Sequence, residues 1–308
     1  MRQHPMPGPP RRAMELSRTL PETPAIYTAS RVEWPVAHCM DCLGARIGVR
    51  ANDPEFWDRF VPLLPPHARL DPWGAAHRVY SISSRAGEHV VRRNGAVLWR
   101  GPGAEDAARL LASELHASVA RFSTDLFVHA GVVGWRGRAI VIPGSSMAGK
   151  TTLVAELIRL GADYYSDEYA VVGEDGSVRS YPKPLSIRSP EGHPKLVFAA
   201  AIPGADGAER LRVGLIVAAR HRPGACWKPR RLSKAASMLV LIANTVMARS
   251  RPEMTMARLR RAVEHAWGVE GERGEAAETA RAVLETAETV FPASPDPHCA
   301  DACGNPLL

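Results

Sequence analysis

A chain of 308 residues, 45% of them apolar, is long enough to bury one large core or two modest ones, and one catalytic domain with flanking additions is the natural reading. The formal charge of +7 suits an anionic ligand such as a nucleotide, and equally the basic tails of many proteins, so it does not argue for nucleic acid. The most apolar run, Met238 to Ala243, is far short of the roughly 20 residues a bilayer needs, and five cysteines, an odd number, fit a reducing compartment better than a disulfide scaffold. The expected location is cytoplasmic.

Residues 1–20 are basic and Pro-rich without the apolar stretch of a secretory signal, and read as a disordered leader. Residues 21–121 form a small α+β part. In it Val90-Val91 and Val97-Leu98-Trp99 flank Arg92-Arg93-Asn94-Gly95, a hairpin signal. Between Glu105 and Val119 the residues Ala107, Leu111, Leu115 and Val119 recur every four positions, the stripe of an amphipathic helix. Cys39 and Cys42, with His38, and Cys299 and Cys303, with His298, together offer four soft ligands for zinc; the plainer reading is one buried cysteine pair and one tail pair.

Residues 122–232 carry the informative region. Two apolar runs, Leu126 to Val133 and Ala139 to Ile142, are joined by Gly134-Trp135-Arg136-Gly137-Arg138 and predict a hairpin. A helix is expected over Thr152 to Leu160, with Gly161 at its C-cap, followed by a short strand from Asp163 to Ser166. Ala170-Val171-Val172 and Val178 to Tyr181 enclose Glu174-Asp175-Gly176, a second hairpin. Hairpins on both sides of the segment between Ile142 and Thr152 imply a mixed sheet. Val213 to Ala219 reads as a further buried strand.

Residues 233–291 are expected to be helical and to pack on that core. Ser233 caps a helix over Lys234 to Met247, Pro252 opens a second that ends near Trp267, and Glu275 to Val290 makes a third. Residues 292–308 form a Pro-rich tail.

Between the predicted strand and helix lies Gly144-Ser145-Ser146-Met147-Ala148-Gly149-Lys150-Thr151, which fits G-x-x-x-x-G-K-[ST]. Glycines at both ends let successive amide N–H groups turn inward, where with the positive end of the helix dipole they cradle phosphate oxygens. Lys150 then reaches the outer phosphates, Thr151 is placed to ligate Mg²⁺, and Thr152 begins the helix body. The competing reading is a glycine-rich strand-to-helix turn with no ligand. A nucleoside triphosphate also needs carboxylates for Mg²⁺ and for the acceptor, and the next acids are Asp167-Glu168, after a spacing that fits one βαβ crossover. The strand before Asp167 is too short for the lineage of motor and GTPase P-loops. His129 is one hairpin away, either supporting a carboxylate or filling a core, and Arg188 and the Arg220-His221-Arg222 cluster are cations either for the transferring phosphoryl group or for solvent.

Phe127-Val128-His129-Ala130-Gly131-Val132-Val133, Pro143 through Thr152, and Ser166-Asp167-Glu168 together resemble the catalytic core of bacterial HPr serine kinase/phosphorylase, and more closely its HPr-kinase-related branch, over roughly residues 122–190. The resemblance implies an α/β, phosphoenolpyruvate-carboxykinase-like P-loop fold, ATP and Mg²⁺, and a hydroxyl acceptor on a protein, peptide or small molecule. It implies that Asp167 and Glu168 handle metal and act as general base, with Asp167 at the metal, and that His129 supports them. Two departures stand out: Thr152 where the family has glutamate, and Glu168 where it has a second aspartate. With these departures the phosphorylase half-reaction is not implied, and because the family's Glu-Ile-Arg-Gly-type signature has no counterpart, HPr itself is not implied as substrate.

Two other functions fit the same residues. A non-catalytic ATP-binding regulator would bind nucleotide without forming phosphoproduct. A nucleic-acid binder would use Arg11-Arg12, Arg230-Arg231 and Arg258 to Arg261, but no interleaved aromatic platform accompanies them. A homo-oligomer is compatible with the sequence, and a membrane partner is not expected.

Overall fold

A computed structural model of the chain describes residues 34–144, 149–187, 195–197 and 210–291. The N-terminal strands are β1 (Val36–Cys42), β2 (Ala45–Ala51), β3 (Arg69–Pro72), β4 (Arg78–Arg85), β5 (Glu88–Arg93) and β6 (Ala96–Gly101), in the spatial order β3-β1-β2-β4-β5-β6. The sheet is mixed, because β2 and β4 run parallel while the other pairs are antiparallel. The connection between β2 and β4 contains helix α1 (Pro54–Phe60), whose N-cap Asp53 accepts from the amides of Glu55 and Phe56 at 3.0 and 3.3 Å. Asn94 and Gly95 turn the β5–β6 hairpin with φ of 48° and 86°, the left-handed pair of a tight turn.

Helix α2 (Ala104–Phe122) lies across this sheet. Its stripe Ala107, Leu111, Leu115 and Val119 is fully buried, as its four-residue spacing requires. The same core takes in Phe127, Tyr169, Val171 and Tyr181, so the N-terminal sheet and the second sheet share one interior.

The second sheet holds β7 (Leu126–Trp135), β8 (Arg138–Pro143), β9 (Asp163–Ser166), β10 (Tyr169–Val172), β11 (Val178–Arg179), β14 (Arg212–His221), β15 (Arg230–Leu232) and β16 (Trp267–Arg273). The order is β11-β10-β7-β8-β14-β16-β15, with β9 also on β7. Strands β8, β14 and β16 run parallel and the rest pair antiparallel, giving the mixed sheet that the hairpins predicted. A separate small ribbon pairs β12 (Leu185–Ile187) with β13 (Lys195–Val197). Helices α3 (Lys150–Arg159) and α6 (Ala276–Val290) cover one face. Helices α4 (Lys234–Ala243) and α5 (Pro252–Val263) cover the other. Among the described residues there are thus two mixed sheets and six helices, and no helix is long and apolar enough to cross a membrane.

Three expectations change. The crossover from β8 through α3 to β9 is present, but β7 lies between the two strands it joins, so they are not neighbours. Helix α4 stops at Ala243 instead of running to Met247. Strand β8 pairs with β7 only from Ala130 onward, and the open edge before it is taken by residues 244–246 through His129 N–H to Asn244 O (2.8 Å) and Val246 N–H to Phe127 O (3.0 Å).

The C-terminal third is not purely helical. Helix α5 ends at Val263 instead of near Trp267, and Trp267 opens β16, a strand inside the sheet between β14 and β15 that the sequence reading did not assign. Gly268 permits this, since a Cβ there would strike Ser237 of α4. Cys39 and Cys42 are both buried, but three residues apart on one strand they point to opposite faces, Cys42 into the main core and Cys39 against Ala76 and Val79. Both are thus buried, as the plainer reading has it, but placed on opposite faces they do not offer two ligands to one metal. Cys299 and Cys303 lie outside the described residues.

Candidate functional site

The site forms where β8 ends. Gly144 donates its N–H to His129 O at 3.1 Å, which ties the first loop residue to β7. Ser145, Ser146, Met147 and Ala148 lie outside the described residues. The chain is described again at Gly149, whose φ of +74° is left-handed backbone, and Lys150 and Thr151 open α3 directly after it. A Cβ at Gly149 would run into the Arg273 guanidinium, so both space and backbone demand glycine here.

Strands β9 and β10 are two halves of one line along β7, interrupted at Asp167 and Glu168. The hydroxyl of Ser166, fully buried, accepts from the N–H groups of Glu168 and Tyr169 at 3.2 and 3.0 Å. Glu168 O accepts from Ala130 N at 3.0 Å. This side-chain turn bends the backbone without breaking its hold on β7, and so displays two consecutive acids instead of alternating them across the sheet.

Asp167 meets the loop helix. Thr151 Oγ1 donates to Asp167 Oδ2 at 2.9 Å, and Tyr164 Oη lies 3.2 Å from Oδ1 and 2.9 Å from Lys183 O. Gly131 lets α3 come this near, because a Cβ there would stand 2.6 Å from Val154 Cγ2. Asp167 is 6% exposed, and burial raises its carboxyl above the ordinary range against the lowering effects of Lys183 and Thr151. For Glu168 burial also acts upward, but Lys183, which forms an ion pair with it, and then His116 and His129, bring it below the ordinary range. Burial lowers Lys150, with Glu168 and Asp167 opposing that shift, so the loop lysine lies within the field of both acids.

His129 is half-buried. Its ring lies tilted against that of Tyr169 at 4.9 Å, and burial lowers its pKa against the pull of Glu168. Thr152 lies on α3 one residue beyond the Asp167 contact. The structure thus brings Lys150, Thr151, Asp167, Glu168 and His129 together at one end of the sheet.

The predicted arginines fare differently. Arg188 lies outside the described residues. Arg222 ends in an exposed 2.8 Å pair with Glu272, and Arg220 lines an adjoining cleft of about 540 Å³ with Pro143, Lys228 and Arg230. The cation that touches the loop is Arg273 on β16, buried, with Nη2 3.0 Å from Gly149 O. Sequence reading missed it because no strand was assigned between the helix expected to end near Trp267 and the one expected from Glu275. His116 on α2 and Lys183 were missed too. His116 is 6% exposed, its Nδ1 lies 2.9 Å from Tyr181 Oη, and burial first, then Lys183, push its pKa down to about 4. The flanking prolines of Pro182-Lys183-Pro184 were the available signal for Lys183, since they fix an extended backbone around one lysine.

Four of the basic residues weighed for nucleic acid have partners within the fold. Arg231 stacks on Trp267 at 3.9 Å, Arg230 pairs with Glu270, Arg258 bonds Val172 O at 3.2 Å and Arg261 bonds Glu174 O at 2.6 Å. Arg11 and Arg12 lie outside the described residues.

Comparison with known proteins finds no family model that matches the chain and no curated protein that matches it.

Proposed function

We propose that this chain is an ATP-dependent phosphotransferase of HPr-kinase-like type, built on a phosphoenolpyruvate-carboxykinase-like P-loop core and acting on a serine-type hydroxyl of a protein, peptide or small molecule. The observation that carries the reading is the 2.9 Å bond from Thr151 to Asp167, which joins the first helical turn after the glycine loop to the first acid of the pair. A plain strand-to-helix turn gives no reason to bury a carboxylate against that hydroxyl, whereas phosphoryl transfer needs both in one place.

The oxygens of Thr151 and Asp167 are hard donors of the kind Mg²⁺ accepts, and one carboxylate with a hydroxyl leaves room for substrate phosphates and water, its usual partners. Bound there, Mg²⁺ would neutralise charge on the outer phosphates. The helix N-terminus and Lys150 hold the β- and γ-phosphates, and Arg273 adds positive charge behind Gly149. The acceptor hydroxyl gives its proton to Glu168 as its oxygen bonds to the γ-phosphorus. The bond from that phosphorus to the bridging oxygen breaks, and ADP leaves with the electron pair. His129 supports Glu168 from β7. A reducing, ATP-supplied cytoplasm suits such an enzyme.

The test is transfer from γ-labelled ATP to peptides or to a cell extract, followed by isolation of the labelled species. Transfer should vanish in Lys150→Ala. A Lys150→Ala chain that labels as fast as the parent would sink the assignment, and tight ATP binding with no phosphoproduct in any extract would favour a non-catalytic regulator.

A further inference from the structure

Lys183 has no place in the reading above, yet it reaches both acids. Its side chain pairs with Glu168, and its carbonyl oxygen lies 2.9 Å from the Tyr164 hydroxyl that also approaches Asp167. Its backbone is held on every side. Pro182 and Pro184 restrict the flanking dihedrals, and the Lys183 N–H donates to Tyr181 O at 3.0 Å. The backbone is therefore fixed, and the flexible four-carbon side chain is 24% exposed.

The surroundings keep this ammonium from other partners. His116 packs beside it from α2, neutral at physiological pH, so the imidazole neither repels a phosphate-bound lysine nor competes for the anion. Tyr181 holds His116 through its hydroxyl and is itself enclosed by Phe127 and Tyr169. Lys150 feels Lys183 as well as both acids, so two ammonium groups and two carboxylates occupy one partly dry cluster. Their formal charges cancel, and a triphosphate entering that cluster brings negative charge that Lys150 alone does not match.

We propose that Lys183 is a second phosphate-binding lysine, which rests on Glu168 when the site is empty and turns to the γ-phosphoryl oxygens when ATP is bound. The inference rests on the phosphotransfer reading. Lys183 is then a catalytic residue in the strict sense, touching the group transferred, and it is what distinguishes ATP from ADP at this site. Leaving Glu168 also frees that carboxylate for the acceptor.

Calorimetric titration with MgATP and MgADP tests this. Removing Lys183 alone would leave a half-buried carboxylate unpaired, so the informative pair is Glu168→Gln and Glu168→Gln/Lys183→Met, with thermal unfolding of the same samples as the control for fold. The parent and Glu168→Gln should bind MgATP about tenfold more tightly than MgADP, the size expected of one charge-assisted phosphate contact. In Glu168→Gln/Lys183→Met that preference should fall below about twofold with MgADP affinity unchanged. Lys183→Gln, which still donates to Glu168, should show the same loss in a chain with the acid intact. A Glu168→Gln/Lys183→Met or Lys183→Gln chain that keeps the parent's preference overturns the proposal and leaves the kinase reading standing. A parent chain that binds neither nucleotide overturns both.

Discussion

Two regions of this molecule bury polar groups under the same helix, and they bury them in different ways. On the N-terminal sheet Tyr80 is fully buried and its hydroxyl meets Glu114 Oε2 at 2.8 Å and Ser118 Oγ at 2.9 Å, while Arg93 and Arg78 complete those two partners at 3.3 and 3.2 Å. Every group there answers another. At the end of β8, Asp167 is buried with hydroxyl partners from Thr151 and Tyr164, and its carboxyl is driven up by burial while the neighbouring Glu168 is held down by Lys183. Buried polarity alone therefore does not mark function. What differs at the end of β8 is that two adjacent acids are pushed in opposite directions beside a helix N-terminus, which is the arrangement the proposed phosphotransfer uses.

The strongest way to break that distinction is Asp167→Asn. The amide matches the carboxylate in shape and removes a charge that burial disfavours, so the unfolding midpoint should hold or rise. Phosphotransfer should fall by about 10³, the scale of losing a principal electrostatic group in such a site. Scanning calorimetry and initial rates on one preparation check both halves. A variant that unfolds earlier yet transfers normally would make Asp167 a structural residue like Tyr80.

Gly131→Ala attacks the packing that brings α3 to the acids. The new methyl would stand 2.6 Å from Val154 Cγ2, with Lys150 Cβ at 3.9 Å, so the helix must shift. Overpacking of this kind costs about 1–3 kcal/mol, and the loss of transfer should exceed what the unfolded fraction explains. Denaturant unfolding beside kcat separates the two.

A third measurement uses pH. His116 has a folded-state pKa of about 4 against an ordinary 6.5, so between those values the unfolded chain takes up a proton that the folded chain refuses. Stability must then decline as pH falls through that window, by roughly 2 kcal/mol at pH 5 relative to neutrality. His116→Gln removes the proton site, and the variant's unfolding free energy should be flatter than the parent's from pH 6.5 to 4. Parallel curves would mean that His116 is not buried as a neutral ring.

Much of the site was legible because its signals are local. Asn94-Gly95 and Asp175-Gly176 write their turns in two residues, Ala107 to Val119 writes a helix face, and Gly144 to Thr151 writes a strand-to-helix junction. The placement of Arg273, Lys183 and His116 at the site was not legible, because each reaches it through long-range pairing: β16 beside β14, the segment after β11 folding back on Tyr164, and α2 packing from another sheet. Strand β16 was also hidden by its flanks, since Pro252 and the apolar spacing after it describe a helix and nothing in Trp267-Gly268-Val269 forces a stop before them. The same limit applies to α4, whose early end depends on an open edge of β7 more than 100 positions away.

The smallest predicted effect asks whether the two regions are separable at all. Glu114 and Ser118 face the N-terminal cluster, while His116, two residues from each and so about half a turn round the helix, faces the acids. Helix α2 is thus common to both. Tyr80→Phe deletes one hydroxyl but leaves Glu114 with Arg93 and Ser118 with Arg78, so no buried group is orphaned and the cost should be about 1 kcal/mol. Phosphotransfer, if α2 acts only as a rigid wall, should be unchanged. Should kcat fall more than about threefold while the fold holds, a small rearrangement at Glu114 and Ser118 has crossed the helix to His116, and the N-terminal sheet is then a working part of the site.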